Sequence, residues 1–320
     1  MIEGGAGFLI AASRAALEAL EALILPFCFF VALGLAARGR AFVGEIGRVA
    51  RQSALNLQIM LFNVILVVPG IALLSEAMHR AAGRWGLVLV EPGVWAAAPP
   101  LLVVFAAVFI GDFIGYWRHR FEHTPLLWPS HAVHHSDEEM NWLTLERFHP
   151  LNRVTTFALD SAVLLAAGLP AYAVVANGLV RHYYGYFIHA ELPWTYGPLG
   201  RVFVSPAMHR WHHANDPLYY QANFATVFAL FDRVFGTWRV PGRCDAPLGV
   251  SDAIRPTLTG QFGYMFEPRA YRALREGRAG LFRWRGASEG AAVEPEDLKR
   301  RGEEEAEGKF ALGAERPGAP

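Results

Sequence analysis

Cysteine is almost absent. Cys28 lies inside an apolar run and Cys244 far downstream, and two such residues make no disulfide framework, so the fold does not depend on an oxidising compartment. Charge is scarce too, at 18% of residues, and neither sign predominates, with 29 basic against 29 acidic side chains. The arginines are dispersed rather than striped, which makes nucleic acid a poor partner. No Gly-rich dinucleotide fingerprint, haem motif or internal repeat of fixed period is visible. Glu3 and no basic cluster precede the first apolar stretch, and no small-residue cleavage pattern follows it. That stretch is therefore expected to be retained, not removed as a signal peptide.

What is abundant is apolar surface, at 53% of residues, more than a soluble enzyme of 320 residues hides. Leu20 to Ala37, Ala54 to Ser75, and Val94 to Ile110 continuing to Trp117 each approach the roughly 20 residues that span a bilayer. The loop expected between the first two runs holds Arg38, Arg40, Arg48 and Arg51 against Glu45, so the positive-inside rule places it in the cytoplasm. The third span then delivers its C-terminal end to the cytoplasmic side. A fourth apolar stretch, Phe157 to Ile188, is too short for two full crossings; a short hairpin turning near Gly168, Leu169 and Pro170 and partly sunk in the bilayer is expected. The expected fold is all-α: an integral membrane helical bundle of three spans plus that hairpin, under a cytoplasmic helical cap. Residues 1–98 form its N-terminal membrane region, 99–245 a catalytic domain and 246–282 a C-terminal extension. Residues 283–320, rich in Gly, Glu, Arg and Ala, form a solvated tail.

Nine of the twelve histidines fall between His119 and His213 in four groups: His119 and His123; His131, His134 and His135; His189 alone; and His209, His212 and His213. Spacings of three and four residues put imidazoles side by side on one helix face. So many exceed what one ion takes, which points to a dinuclear metal site. Pro129 and Ser130 before the second group, and Ser205 and Pro206 before the fourth, suggest that the ligands lie near helix N-termini. Imidazoles suit iron, copper, zinc and nickel alike. A zinc hydrolase needs only three protein ligands, and a transporter would string its histidines along a membrane path. Both remain as remote alternatives.

From about Leu101 to Pro241 the boxes, with Asn223 and the stretch Phe231 to Trp238, resemble the fatty acid hydroxylase and sterol desaturase superfamily of membrane di-iron enzymes. The resemblance implies that His119, His123, His131, His134, His135, His209, His212 and His213 are iron ligands, that His189 is a further one, and that two iron ions bind per chain. Where some members place another histidine, four residues before His189, this chain has Gly185. His182, two helical turns before His189, and His149, in Arg147-Phe-His-Pro150, are the residues considered to fill the gap. Arg147 to Pro150 and Phe187 to Glu191 look most like the bacterial sterol-desaturase-like and alkylglycerol-monooxygenase-like branch. That branch implies a bacterial inner membrane and a lipid substrate; with neither a Gly-rich dinucleotide fingerprint nor a haem motif visible, electrons are expected from a separate electron-transfer protein or reductant. Hydroxylation of a lipid C–H bond is the leading expectation, and desaturation by the same site the alternative.

Metal-bound imidazoles usually donate their second nitrogen to an acceptor. Asp112, inside an apolar run, Asp160 in the hairpin, Asp232 after the last box, and His149 are the expected supports. Glu122 and Glu138 flank ligands but point elsewhere on a helix and are expected to be solvated; His79 is expected at the surface. The aromatics Tyr116, Trp117, Trp128, Trp142, Tyr183, Tyr184, Tyr186, Trp194 and Trp211 are expected to form an interfacial belt, some of them lining an acyl or polycyclic pocket.

Overall fold

The structure, a computed structural model, describes residues 2–275, which belong to one compact unit. The expected tail at 283–320 lies outside the described residues, as does the end of the C-terminal extension. The described residues are all-helical, with a single isolated bridge, Ala214 to Leu248.

Three helical segments, Gly7–Arg38, Arg40–Trp85 and Pro100–Glu122, are long and apolar enough to cross a membrane. The first comprises α1 (Ile2–Ala22) and α2 (Ile24–Arg38), broken at Leu23 because Pro26 has no N–H to offer the carbonyl of Ala22. The second comprises α3 (Arg40–Phe62), a π turn (Asn63–Val67) and α4 (Val68–Trp85). Pro69 likewise cannot serve the carbonyl one turn back, and the π turn absorbs the misfit. The arginine-bearing segment after the first span is therefore mostly helix, not loop. Only Gly39, at φ 56°, interrupts it. At 46 residues and about 1.5 Å each, this segment is more than twice as long as a bilayer core of about 30 Å is thick. Within α3, Leu55 and Ile59 pack on Val133, and Asn56 donates to Asp137 at 2.9 Å, so this helix underpins the second histidine group.

After the short α5 (Pro92–Ala96), helix α6 (Pro100–Glu122) runs through the middle of the fold, packed on both arms of the hairpin, α8 (Pro150–Ala166) and α9 (Ala171–His189). Between α6 and α8 lies α7 (Trp128–His135). Gly111 and Gly115 of α6 make room for Asn177 and Arg181 of α9, which a Cβ at either position would strike. This is the small-residue spacing that lets membrane helices approach closely. The hairpin turns at Gly168 (φ 64°), and its tip reaches the connection preceding α6: Leu89 N–H donates to Ala166 O at 2.7 Å and Trp95 Nε1–H to Ala167 O at 2.8 Å. The hairpin thus runs as deep as α6.

Gly168→Ala is expected to destabilise the fold by more than about 2 kcal/mol, because the left-handed backbone disfavours a Cβ and that Cβ would collide with Val90 O. Thermal unfolding in detergent checks this; an unchanged midpoint would show that the tip relaxes freely.

The remaining α-helices among the described residues are α10 (Pro206–His212), α11 (Leu230–Val234), α12 (Leu258–Gly263) and α13 (Arg272–Arg275). Residues from α12 to Tyr271 fold back over α3 and α7: Tyr264 packs on Ala132, Phe262 on Phe62, and Ser136 Oγ donates to Gln261 Oε1 at 2.9 Å.

Candidate metal centre

Helices α6, α7, α9 and α10 converge by their C-terminal ends. His119 and His123 stand at the end of α6, His134 and His135 at the end of α7, His189 closes α9, and His212 and His213 end α10. Sequence signals start the ligands near helix N-termini, and His131 and His209 are each the fourth residue of their helix. Ser205 caps α10, its Oγ accepting from Met208 N–H at 3.1 Å, and because α7 and α10 are only 8 and 7 residues long, His134, His135 and His212 already occupy their last turns. Four helix ends carrying partial negative charge meet here, which favours a cation.

The nine histidines form two groups: His119, His123, His131, His135 and His212 in one, His134, His189, His209 and His213 in the other. Within each group one ring nitrogen per residue lies within 4.8 Å of all the others. The Nε2 atoms of His119 and His212 are 2.9 Å apart, those of His189 and His209 3.0 Å, and those of His123 and His135, His131 and His135, and His134 and His189 3.2 Å. Two nitrogens bound side by side to one ion at about 2.1 Å stand about 3 Å apart.

The hydrogen bonds on the far side of the rings assign the tautomers. His119 Nδ1–H donates to Phe224 O at 2.7 Å, His123 to Tyr220 O at 3.0 Å, His212 to Ala222 O at 2.8 Å and His189 to Gly185 O at 2.7 Å. With their protons on Nδ1, His119 and His212 face each other lone pair to lone pair, an arrangement that repels unless a cation lies between. His213, fully buried, has neither ring nitrogen hydrogen-bonded. Burial first, then the neighbouring rings, hold His131, His134, His135, His209 and His213 well below the usual imidazole range, and burial brings His212 down to about 4. All remain neutral donors at neutral pH.

Three of the four carbonyl acceptors belong to alternate residues of one segment, Tyr220, Ala222 and Phe224. Asp112 and Asp232 clamp that segment and its continuation and do not touch the imidazoles themselves. Asp112 accepts from the backbone N–H groups of Thr226, Val227 and Phe228 at 3.2, 3.0 and 2.8 Å. Asp232 accepts from those of Phe224 and Ala225 at 2.7 and 2.9 Å and from Thr237 Oγ at 2.6 Å. Burial nevertheless pushes Asp232 up to about 6. Asn223, at φ 63°, ties the same segment to Arg239 through both ends of its amide.

Several expected residues sit elsewhere. Asp160 binds Arg118 at 3.0 Å and Arg181 at 2.8 Å. His149 lies outside both groups: its Nδ1 accepts from Leu151 N–H at 3.1 Å, capping α8, and its Nε2 lies 3.4 Å from Phe262 O. His182 is also outside, with 42% of its side chain exposed and Glu146 3.8 Å away, because two turns of α9, about 10 Å along its axis, separate it from His189. No side chain fits at Gly185 without displacing Leu145, whose methyl carbons would stand 3.0 and 3.1 Å from a Cβ. Glu138 is exposed, but Glu122 is buried at 2% exposure, held by Arg118; the expectation that both are solvated fails for Glu122. His79 is exposed. The expected interfacial belt includes Tyr116, yet that residue is fully buried and stacks on Phe235 in the core.

Sequence reasoning missed the polar knot under α7. Arg147, fully buried, donates to Gln52 Oε1 at 2.7 Å and to Val133 O at 3.1 Å. Asp137 accepts from Asn56 at 2.9 Å and Thr144 at 2.7 Å. This knot fixes the second box to α3, and the adjacent Phe148 stacks on His134 at 4.7 Å. The one signal in the sequence is Arg147 itself, two residues before His149.

Residues 104–237, which hold all nine histidines, match the model of the fatty acid hydroxylase family. The chain carries a fatty acid hydroxylase domain. This domain region is similar to an ornithine lipid hydroxylase of Rhizobium tropici, 26% identical over 185 residues, which cover 57% of this chain and 55% of that protein. It is also similar to the alkylglycerol monooxygenase of Danio rerio, 35% identical over 133 residues, 41% of this chain and 29% of that one. A Delta(7)-sterol 5(6)-desaturase of Gibberella zeae is 29% identical over 153 residues, 47% of this chain and 40% of that one. The chain therefore spans about half the length of the first relative and under a third of the second. No solved structure matches the chain.

Proposed function

We propose that the chain is an integral membrane di-iron oxygenase that hydroxylates a lipid at an unactivated C–H bond, with the nine histidines as ligands and the site facing the cytoplasm. The observation that carries this reading is the lone-pair-to-lone-pair facing of His119 and His212, repeated in kind around two groups of neutral imidazoles. Two iron ions held there supply the activation of dioxygen, which side chains cannot provide. Five imidazoles fit one ion and four the other. The protein's own part is to keep each ring neutral, to fix its tautomer through a peptide carbonyl, and to exclude water by burial. Hydroxylation consumes the C–H substrate, one dioxygen, two electrons and two protons, and yields the alcohol and one water. The electrons come from a separate electron-transfer protein or reductant, because the chain has no flavin, nicotinamide or haem signature.

A lipid substrate is supported by the membrane-spanning helices and by relatives named for ornithine lipid, alkylglycerol and sterol substrates. Since one of those relatives is a desaturase, loss of two hydrogens by the same site is the second reading. Whole-lipid mass spectra of cells expressing the chain and its His135→Ala variant distinguish them. A His135-dependent product heavier by one oxygen supports hydroxylation, and one lighter by two hydrogens supports desaturation. Identical lipid profiles would sink both.

A further inference from the structure

We propose that Glu122 is a positioning residue of the five-histidine group, accepting the Nδ1 proton of His131 and so making His131 a stronger donor than the carbonyl-bonded ligands. The inference rests on the metal-centre reading above. His131 Nδ1 has no hydrogen-bond partner and lies 3.5 Å from Glu122 Oε2. Among the described residues, it is the one ring of the nine with a carboxylate oxygen within 4.0 Å. His119, His123, His189 and His212 rely on peptide carbonyls instead.

Glu122 belongs to a buried chain of alternating charge. Both its oxygens accept from Arg118 NH1 at 3.0 Å, and Arg118 Nε donates to Asp160 Oδ1 at 3.0 Å. Asp160 Oδ2 takes Arg181 NH1 at 2.8 Å, and Arg181 Nε stands 3.8 Å from Asp112. Two guanidiniums thus face three carboxylates. The five groups together therefore carry one negative charge in surplus, which Glu122 shares through Arg118, and a surplus charge among side chains as buried as Glu122, at 2% exposure, is costly. Besides Arg118 and Asn152, which hydrogen-bond to it, Glu122 faces His131 and, behind that ring, the place where five nitrogen lone pairs converge. A cation bound there offsets the surplus, and the carboxylate raises the basicity of the imidazole between them. An ion pair serving helix packing alone needs no third carboxylate and no histidine beside it.

The experiment uses the full chain in detergent, loaded anaerobically with ferrous 57Fe, as wild type, Glu122→Gln and Glu122→Asp. Gln keeps the length and removes the charge; Asp keeps the charge for Arg118 and withdraws it from His131 by one methylene. Mössbauer spectra of both variants are expected to change in about half of the ferrous signal, one of the two ions, and to superpose on wild type in the rest. In chelator competition one ion is expected to bind about 10- to 100-fold more weakly, and the other as in wild type. Superposable spectra and chelator curves would overturn the assignment while leaving the metal centre standing. Loss of the fold in both variants, or equal change at both ions, would mark Glu122 as a helix-packing residue and overturn it too. Wild-type protein that takes up no iron would overturn the metal centre itself, and this inference with it.

Discussion

Replacing His212 with alanine is expected to leave about one ion per purified chain where the wild type holds about two, and to abolish turnover. The ring of His212 does two things at once. Its Nε2 approaches that of His119 to 2.9 Å, and its Nδ1–H is pinned to Ala222 O, so no other side chain can take its place. Its loss removes a donor outright, and the effect should exceed the roughly 10- to 100-fold that loss of an outer partner costs. The comparison that gives the experiment meaning is His182→Ala. That ring lies outside both groups beside Glu146, and its removal should leave the metal content unchanged. Elemental analysis per chain decides between them. Full metal in the His212 variant, or an equal loss in the His182 variant, would mean that the two nitrogen groups are not where ions bind.

Asp112→Ala is expected to destabilise the protein by about 3–5 kcal/mol and to lower metal retention, although Asp112 touches no histidine. The substitution leaves three N–H groups without acceptors, two of them buried and costing about 1–3 kcal/mol each, and deprives Arg181 of a counter-charge. Once residues 226–228 are free, the carbonyls of Ala222 and Phe224 lose their anchorage, and with it His212 and His119 lose their orientation. Thermal unfolding and metal content should fall together. A variant that melts like wild type with full metal would show that Asp232 holds the segment alone.

The histidines were legible because their geometry is local. Spacings of three and four residues determine a helix face, and a run of imidazoles on such faces has few other uses. The hairpin turn was legible for the same reason, since Gly168, Leu169 and Pro170 carry their turn chemistry with them. The supports of the rings were not. Their acceptors are peptide carbonyls, which every residue has and no pattern announces, whereas Asp112, Asp160 and Asp232 stand out in the sequence as carboxylates near the boxes. Two of these turn out to hold peptide groups and the third to pair with arginines. Glu122 looked solvated because it sits between ligands on a helix that ends there. Its burial depends on Arg118 and on Asp160, 42 residues from Arg118, a long-range contact invisible to periodicity. The arginines after the first span seemed a loop because charge follows an apolar run. Too little there breaks a helix: apart from Gly39 the segment simply continues.

The three carbonyls of Tyr220, Ala222 and Phe224 bear on how this site can change over evolutionary time. A peptide oxygen is the same whatever side chain its residue carries, so the tautomers of three ligands are indifferent to residue identity along that segment and sensitive only to register. Point substitutions there are filtered by packing alone. A single inserted or deleted residue would turn alternate carbonyls away from all three rings at once, so the segment tolerates drift in composition and almost none in length.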